Sequence, residues 1–392
     1  MNLSLSDEQV FLREAARGAL SRFKTFDAAR EALDGKNALP DLWPTAKEAG
    51  WPGLLIDESH GGAGLDAFDA MLVLGECGRV LAPIPLLGHL PATAILNDSP
   101  AGAPLLAELG TGERRAAYLP VSPPDDVSER WTVDPRRGIE RPAAPSAVAD
   151  GSQAAQSGGQ VRVSGELSFV PDAPGAEVLG GVALLDGPRQ PGCKPVGFAI
   201  DMASATGVEV EATRRYDATR SLGHVSLSQA PATLLDAPLQ TLAAAWHLAQ
   251  ALIAAESLGS VETALDVSVA YAKERHTFGR AIGSYQAVKH SLTEVLRQLE
   301  NGRSLLYYAG WARGGAPDEF PLAASAARSV AGRALDQAAR TMISVHGGIG
   351  ATWEHDAPLY FRRAQLSRRL LGGTSGATDR VAGELMAQAS AA

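Results

Sequence analysis

The chain of 392 residues holds only two cysteines, Cys77 and Cys193. That is too few for a disulfide framework, and the spacing matches no metal-ligand pattern. A reducing cytoplasm is the expected setting. Positive charge is in short supply as well: 35 Lys and Arg against 44 Asp and Glu leave a net charge of −9. Nucleic-acid surfaces are basic, so no nucleic-acid partner is expected. No unbroken apolar run approaches the roughly 20 residues of a membrane span. The alanine-rich stretch at 241–255 comes nearest, but Trp246, His247 and Gln250 interrupt it and Glu256 follows. The first eight residues lack the basic-then-apolar order of a signal peptide. With 45% hydrophobic and 20% charged residues, disorder, collagen and coiled coil are excluded as overall descriptions.

What is present is a change of period along the chain. Ser6 and Gln9 form a capping box, and Leu12, Ala16, Ala19 and Phe23 follow at helical spacing. Helices are expected over 42–49 and 66–80, with a turn at Gly50–Gly53 and a loop at Gly61-Gly62-Ala63-Gly64 between them. From about residue 116 the alternation becomes two-fold, in Val161-Arg162-Val163, Val208-Glu209-Val210-Glu211 and His224-Val225-Ser226-Leu227-Ser228. The segment 134–159, rich in Ala, Pro, Ser and Gly, reads as a long surface loop. After Pro238 the helical period returns: Leu258, Val261, Leu265, Val269 and Ala272 line one long helix, and Val288, Leu292, Val295 and Leu299 open another. A third helix is expected over 319–345. The expectation is an α+β chain in three parts: an N-terminal α-helical domain at 1–115, a central β-barrel or sandwich at 116–237, and a C-terminal four-helix bundle at 238–392.

The stretch from Tyr271 to His290 is the densest in chemistry. A long helix ends in a basic turn, a loop with Gly279 and Gly283 follows, and a new helix begins near Ser284. Arg275 and Arg280 complement the helix C-terminal dipole, and either guanidinium can also fork onto a phosphate. The glycine run at 61–64 lacks the G-x-G-x-x-G spacing and the strand–turn–helix context, which sets aside a Rossmann dehydrogenase.

Several motifs in register resemble the acyl-CoA dehydrogenase family. These are Leu5-Ser6-Asp7-Glu8-Gln9, Gly50-Trp51 through Gly64, Arg275-His276-Thr277-Phe278-Gly279 with Gln286, Ser344-Val345-His346-Gly347-Gly348-Ile349-Gly350, and Gly372-Gly373-Thr374-Ser375. His346 to Asp356 resembles a bacterial subgroup whose members include heterotetramers acting on steroid side chains and other bulky acyl-CoAs. The resemblance implies an acyl-CoA substrate, FAD as cofactor, an electron-transfer flavoprotein as acceptor, and a homotetramer or a heterotetramer with a related subunit. It implies that Arg275 meets the FAD pyrophosphate with Phe278 beside it, and that Tyr285 and Gln286 touch the adenosine half. Ser344, Val345, His346, Gly347 and Gly348 would meet the diphosphate of a flavin held mainly by a neighbour. Phe169 would stand against the flavin ring, or be a core strand aromatic. The Thr374 hydroxyl would bond the cofactor, or cap a helix.

The sequence also departs from the family. The family removes the acyl α-proton with a carboxylate while hydride leaves the β-carbon. Most members place that base where Gly372 stands, and a minority where Ala249 stands; the neighbouring arginine of many members falls on Gln250. Glu256 is the one carboxylate in the buried middle of the same helix. It lies seven residues, about 10 Å, from position 249 on the same face. It is the one catalytic candidate, against a reading as a buried structural Glu paired with Arg or His. The family's Thr-Glu-Pro-x-Gly-Ser-Asp stretch is replaced by residues 119–126. Two readings remain: a dehydrogenase with its base moved, and a non-catalytic partner subunit that completes an FAD site.

Overall fold

The computed structural model describes residues 4–35, 38–119, 144–149, 158–185, 194–213 and 216–391. Helix α1 (Asp7–Leu20) begins at the expected capping box: Gln9 N–H donates to Ser6 Oγ at 3.2 Å and Ser6 N–H to Gln9 Oε1 at 3.1 Å. Helices α2 (Thr25–Leu33) and α3 (Trp43–Glu48) follow, and α4 (Ala67–Arg79) is capped by the Asp66 carboxylate. Two further helices, α5 (Leu86–Asn97) and α6 (Ala103–Gly110), precede the first strand. Helix α5 is buried on nearly every side because it lies between strands and the long helix described below.

The strands are β1 (Ala116–Leu119), β2 (Ser146–Ala149), β3 (Gln160–Pro171), β4 (Val178–Leu185), β5 (Lys194–Asp201), β6 (Val208–Ala212) and β7 (Leu222–Leu235). Five of them close a ring: β2 pairs β3, β3 pairs β7, β7 pairs β5, β5 pairs β4, and β4 returns to β2. The expected barrel is therefore present, with β1 added on β4 and β6 on β7. The expected surface loop at 134–159 needs correction. Ser146–Ala149 is a strand, recruited by pairing on both sides despite its small residues; most of the remaining segment lies outside the described residues. So do nearly all of the replaced stretch at 119–126 and Cys193.

Helix α7 (Leu239–Glu274) runs for 36 residues, about 54 Å at 1.5 Å per residue. A small hairpin, β8 (His276–Thr277) and β9 (Arg280–Ala281), leads to α8 (Gln286–Gly315), α9 (Phe320–His346), α10 (Ala357–Ser367) and α11 (Gly373–Ala391). Four long helices, α7, α8, α9 and α11, and the shorter α10 thus make the C-terminal helical part. Helix α8 starts two residues later than expected, because Ile282–Ser284 forms a 3-10 turn first. Helices α4 and α7 touch backbone to backbone. A Cβ at Gly78 would stand 1.9 Å from Glu256 O, one at Gly259 1.9 Å from Gly75 O, and Ser260 Oγ donates to Gly78 O at 2.8 Å. One apolar core runs from Leu20 on α1 through Phe198 in the ring to Leu371 beyond α10. Among the described residues, no helix is long and apolar enough to cross a membrane.

Candidate functional site

The basic turn after α7 is a tight hairpin. Arg275 ends the helix with its N–H on Tyr271 O at 2.8 Å, and Ile282 N–H returns to Arg275 O at 2.8 Å. The two loop residues, Phe278 and Gly279, have φ of 50° and 80°, the paired positive values of a type I′ turn. That turn lifts the Phe278 ring into solvent, where it is 93% exposed. Arg280 lies over the Tyr285 ring at 4.0 Å, and Tyr285 Oη donates to Thr277 O at 3.1 Å. Tyr285 therefore braces the hairpin. Arg275 is exposed and forms no ion pair among the described residues. Gln286, also exposed, opens α8.

The second motif sits at the same end of the bundle. Ser344, Val345 and His346 form the last turn of α9, and Gly347 takes φ 65°, ψ −138°, a region open essentially to glycine alone. Nothing lies within 4 Å of a Cβ built on Gly347 or Gly348, so this backbone is bare. His346 is buried, with Nδ1 against Met342 O at 2.7 Å. Its ring lies against Tyr271 of α7 at 4.3 Å and His355 at 4.1 Å, tilted by 33° and 42°. That three-ring cluster brings the hairpin and the glycine turn together. Burial, with the neighbouring His346 second, holds His355 below its ordinary pKa. Asp356 pairs with Arg30 of α2. Arg362 lies over the rings of both Trp353 and Tyr216, at 4.7 and 4.1 Å.

The other proposed cofactor residues stand elsewhere. Phe169 lies on β3 at an irregularity between Leu167 and Val170, with φ 59°, and meets His224 edge-on at 4.9 Å. Thr374 opens α11 with its methyl against Gly332 of α9. The structure therefore groups Arg275, Phe278, Tyr285 and Gln286 with 344–348, and leaves Phe169 and Thr374 on separate elements.

The residues around positions 249 and 372 are packed. Ala249 is fully buried. Gly372 has φ 78°, and a Cβ there would lie 3.4 Å from the Trp246 indole. Gln250 Nε2 donates to Leu371 O at 2.9 Å. Glu256 is buried in a network of ion pairs. Its Oε1 accepts from Arg363 Nη1 at 2.7 Å, and its Oε2 accepts from Arg220. Arg363 also reaches Asp217 at 2.6 Å and donates to Thr219. Glu256 and Asp217 thus share two buried arginines, and each Glu256 oxygen accepts from one of them. Glu256 thus has the buried arginine partners expected of a structural carboxylate. Among the described residues, no group of three or more His, Cys, Asp or Glu could hold a metal.

Sequence reasoning missed Arg220, Arg363 and Arg328, which are 7%, 1% and 0% exposed. Their one visible signal was an unpaired acid, Glu256, in an apolar helix face, since such an acid needs cationic partners. It missed Trp246 as the cover over position 372.

Residues 6–122 match the model for the N-terminal domain of acyl-CoA dehydrogenase, and residues 242–386 the model for its C-terminal domain. The chain is 29% identical over 370 residues to acyl-CoA dehydrogenase IpdE2 of Mycolicibacterium smegmatis, covering 94% of this chain and 96% of that protein. It is 32% identical over 386 residues to acyl-CoA dehydrogenase FadE34 of Mycobacterium tuberculosis; that covers 95% of this chain but only 47% of the longer relative. Among solved structures, a Tcur3481–Tcur3483 steroid ACAD variant aligns with a TM-score of 0.82 at 28% identity, covering 99% of this chain and 100% of that one. A chain of the ChsE4–ChsE5 complex from Mycobacterium tuberculosis aligns with a TM-score of 0.81 at 24% identity, covering 98% and 99%. Both domain models in order, near-complete coverage by relatives and a shared fold carry one conclusion: the chain belongs to the acyl-CoA dehydrogenase family.

Proposed function

We propose that this chain is the non-catalytic member of a two-component acyl-CoA dehydrogenase, which completes the FAD site of a related subunit. The observation that carries this reading is the state of the base positions. Gly372 and Ala249 stand where the family supplies its carboxylate, and both oxygens of the one nearby acid, Glu256, are held by Arg220 and Arg363. A general base must lie within hydrogen-bond reach of the proton it takes, and Glu256 is buried. The names of two structural relatives, Tcur3481–Tcur3483 and ChsE4–ChsE5, each join two different chains, and FadE34 is about twice as long as the segment matched here. A second unit beside this one is consistent with all three.

The cofactor of the family is FAD, and the residues at the bundle end fit it. Arg275 offers a guanidinium without an ion pair among the described residues, and bare backbone at Gly347 and Gly348 lets N–H groups approach a phosphate. In this reading Arg275 and Ser344 to Gly348 hold the pyrophosphate of the neighbour's flavin, Phe278 packs beside it, and Gln286 with Tyr285 borders the adenosine. Phe169 and Thr374 serve the ring side and a hydroxyl contact. When bound, FAD supplies the hydride acceptor for the 2,3-oxidation of an acyl thioester. This chain's own residues hold and shield the cofactor and supply no proton acceptor. The acyl-CoA is bound and oxidised on the partner, and electrons pass to an electron-transfer flavoprotein in the cytoplasm.

The test is to assay the chain alone and co-purified with a related subunit that carries the glutamate, using a panel of saturated acyl-CoA esters and an artificial electron acceptor. The chain alone is expected to fall short of the assembly by at least the ~10²–10⁴-fold that acid–base catalysis supplies. Turnover by the isolated chain at a rate typical of enzymes overturns the proposal.

A further inference from the structure

The corner between α10 and α11 is unusual in its backbone. Leu371, Gly372 and Gly373 have φ of 50°, 78° and 74°, three left-handed residues in a row. A leucine in that region persists only where its surroundings over-determine it. The determinants come from other helices. Arg328 of α9 donates through Nη2 to Ser367 O and, at 3.3 Å, to Leu370 O. Its guanidinium therefore meets the negative end of α10 and caps it. Gln250 of α7 takes Leu371 O at 2.9 Å, and Gly373 N–H closes on Leu370 O at 2.9 Å.

Helix α11 leaves this corner in a fixed rotation. A Cβ at Gly332 would lie 2.0 Å from Thr374 Cγ2, so the missing side chain is the seat for that methyl. One turn along both helices, Ser329 Oγ and Thr378 Oγ1 are hydrogen-bonded at 2.7 Å. Two contacts a turn apart set the rotation of α11 about its own axis. They also set Thr374 itself: in a β-branched residue, lodging the methyl fixes the direction of the hydroxyl. That hydroxyl has only a long contact in the chain, 3.4 Å to Arg368 O, and so keeps most of its capacity for another partner.

We infer that Gly332 and Ser329 are positioning residues that aim the Thr374 hydroxyl at the cofactor, with Arg328 and Gln250 holding the corner behind it. The inference rests on the proposed reading in which Thr374 bonds FAD. It assigns the aiming to α9, which does not itself carry the hydroxyl.

The experiment uses the co-purified assembly, stripped of flavin and titrated with FAD by its visible band and fluorescence, with thermal unfolding recorded in parallel. Gly332→Ala pushes the methyl off its seat and is expected to weaken FAD binding about 10- to 100-fold, the scale of an ångström-sized misplacement. Thr374→Ser removes the methyl and keeps the hydroxyl. In the Gly332→Ala background it is expected to restore affinity to within about twofold of Thr374→Ser alone, which is the additivity limit. Thr374→Val is expected to weaken binding alone, and Ser329→Ala to weaken it less than Gly332→Ala without any steric intrusion. If Thr374→Val leaves FAD affinity unchanged, the cofactor reading of Thr374 fails and the inference falls with it. If Thr374→Val weakens binding but Gly332→Ala and Ser329→Ala do not, the inference alone fails. A loss in Gly332→Ala that Thr374→Ser cannot rescue marks a merely structural role and also overturns it.

Discussion

Glu256 and Arg363 are joined at 2.7 Å between Oε1 and Nη1, both side chains almost entirely out of water, while Arg220 takes the other carboxylate oxygen. Removing one member of a buried ion pair leaves the rest uncompensated, at about 3–5 kcal/mol. Glu256→Gln is therefore expected to lower unfolding stability on that scale in denaturant titration. A stable variant that had lost only acyl-CoA turnover would return Glu256 to the role of base.

His89 is wholly buried between Pro52 O, 3.2 Å from Nε2, and Ala116 N–H, which donates to Nδ1 at 3.0 Å. The second bond requires an unprotonated Nδ1, and burial pushes the pKa down to about 4. A depressed folded pKa gives stability that is present above the unfolded value near 6.5 and is lost as pH falls toward 4. The unfolding temperature of the wild-type protein should fall across this window. His89→Gln, which does not titrate, should show a shallower fall. Identical slopes would remove His89 as the cause.

Asp172 behaves oppositely. Burial raises its carboxyl to about 6, against the pull of Arg220, while Gly88 N–H donates to Oδ2 at 2.8 Å; Glu256 and Arg363 also face it. A raised folded pKa means stability that is full below about 4 and lost as pH rises through about 6. Asp172→Asn keeps an acceptor for Gly88. It should unfold at a higher temperature than wild type at pH 8 and at the same temperature near pH 4. A variant less stable at pH 8 would show that the charge is welcome there.

Arg275 is exposed and makes no ion pair among the described residues, so Arg275→Ala should leave the unfolding temperature unchanged. Loss of a charge-assisted hydrogen bond of about 1.5–3 kcal/mol corresponds to roughly 10- to 100-fold weaker flavin binding. Unchanged flavin content in the assembled protein would remove Arg275 from the cofactor site.

The parts of the fold that were legible in the sequence have one buried face. Helices α1, α8 and α9, the later part of α7, and strands β3, β6 and β7 present a polar side, so a period appears. Helix α5 and strands β4 and β5 are enclosed on both sides, and their apolar runs carry no period to read. The site divides in the same way. The hairpin and the glycine turn are local motifs, readable from consecutive residues. Arg220, Glu256 and Arg363 meet across up to 143 positions, and only the folded chain shows which arginine serves which acid.

The closed strand ring bears on how this protein avoids unwanted association. An open sheet edge is a template on which a second chain can add its own strand. Among the described residues, the five strands of the ring pair with one another, and β1 and β6 extend it with an outer side unpaired. Strand β1 is buried along its whole length, and β6 exposes Glu209 and Glu211. Charge on an edge strand discourages strand addition. The closed ring and these edge charges together discourage edge-to-edge stacking through the sheet.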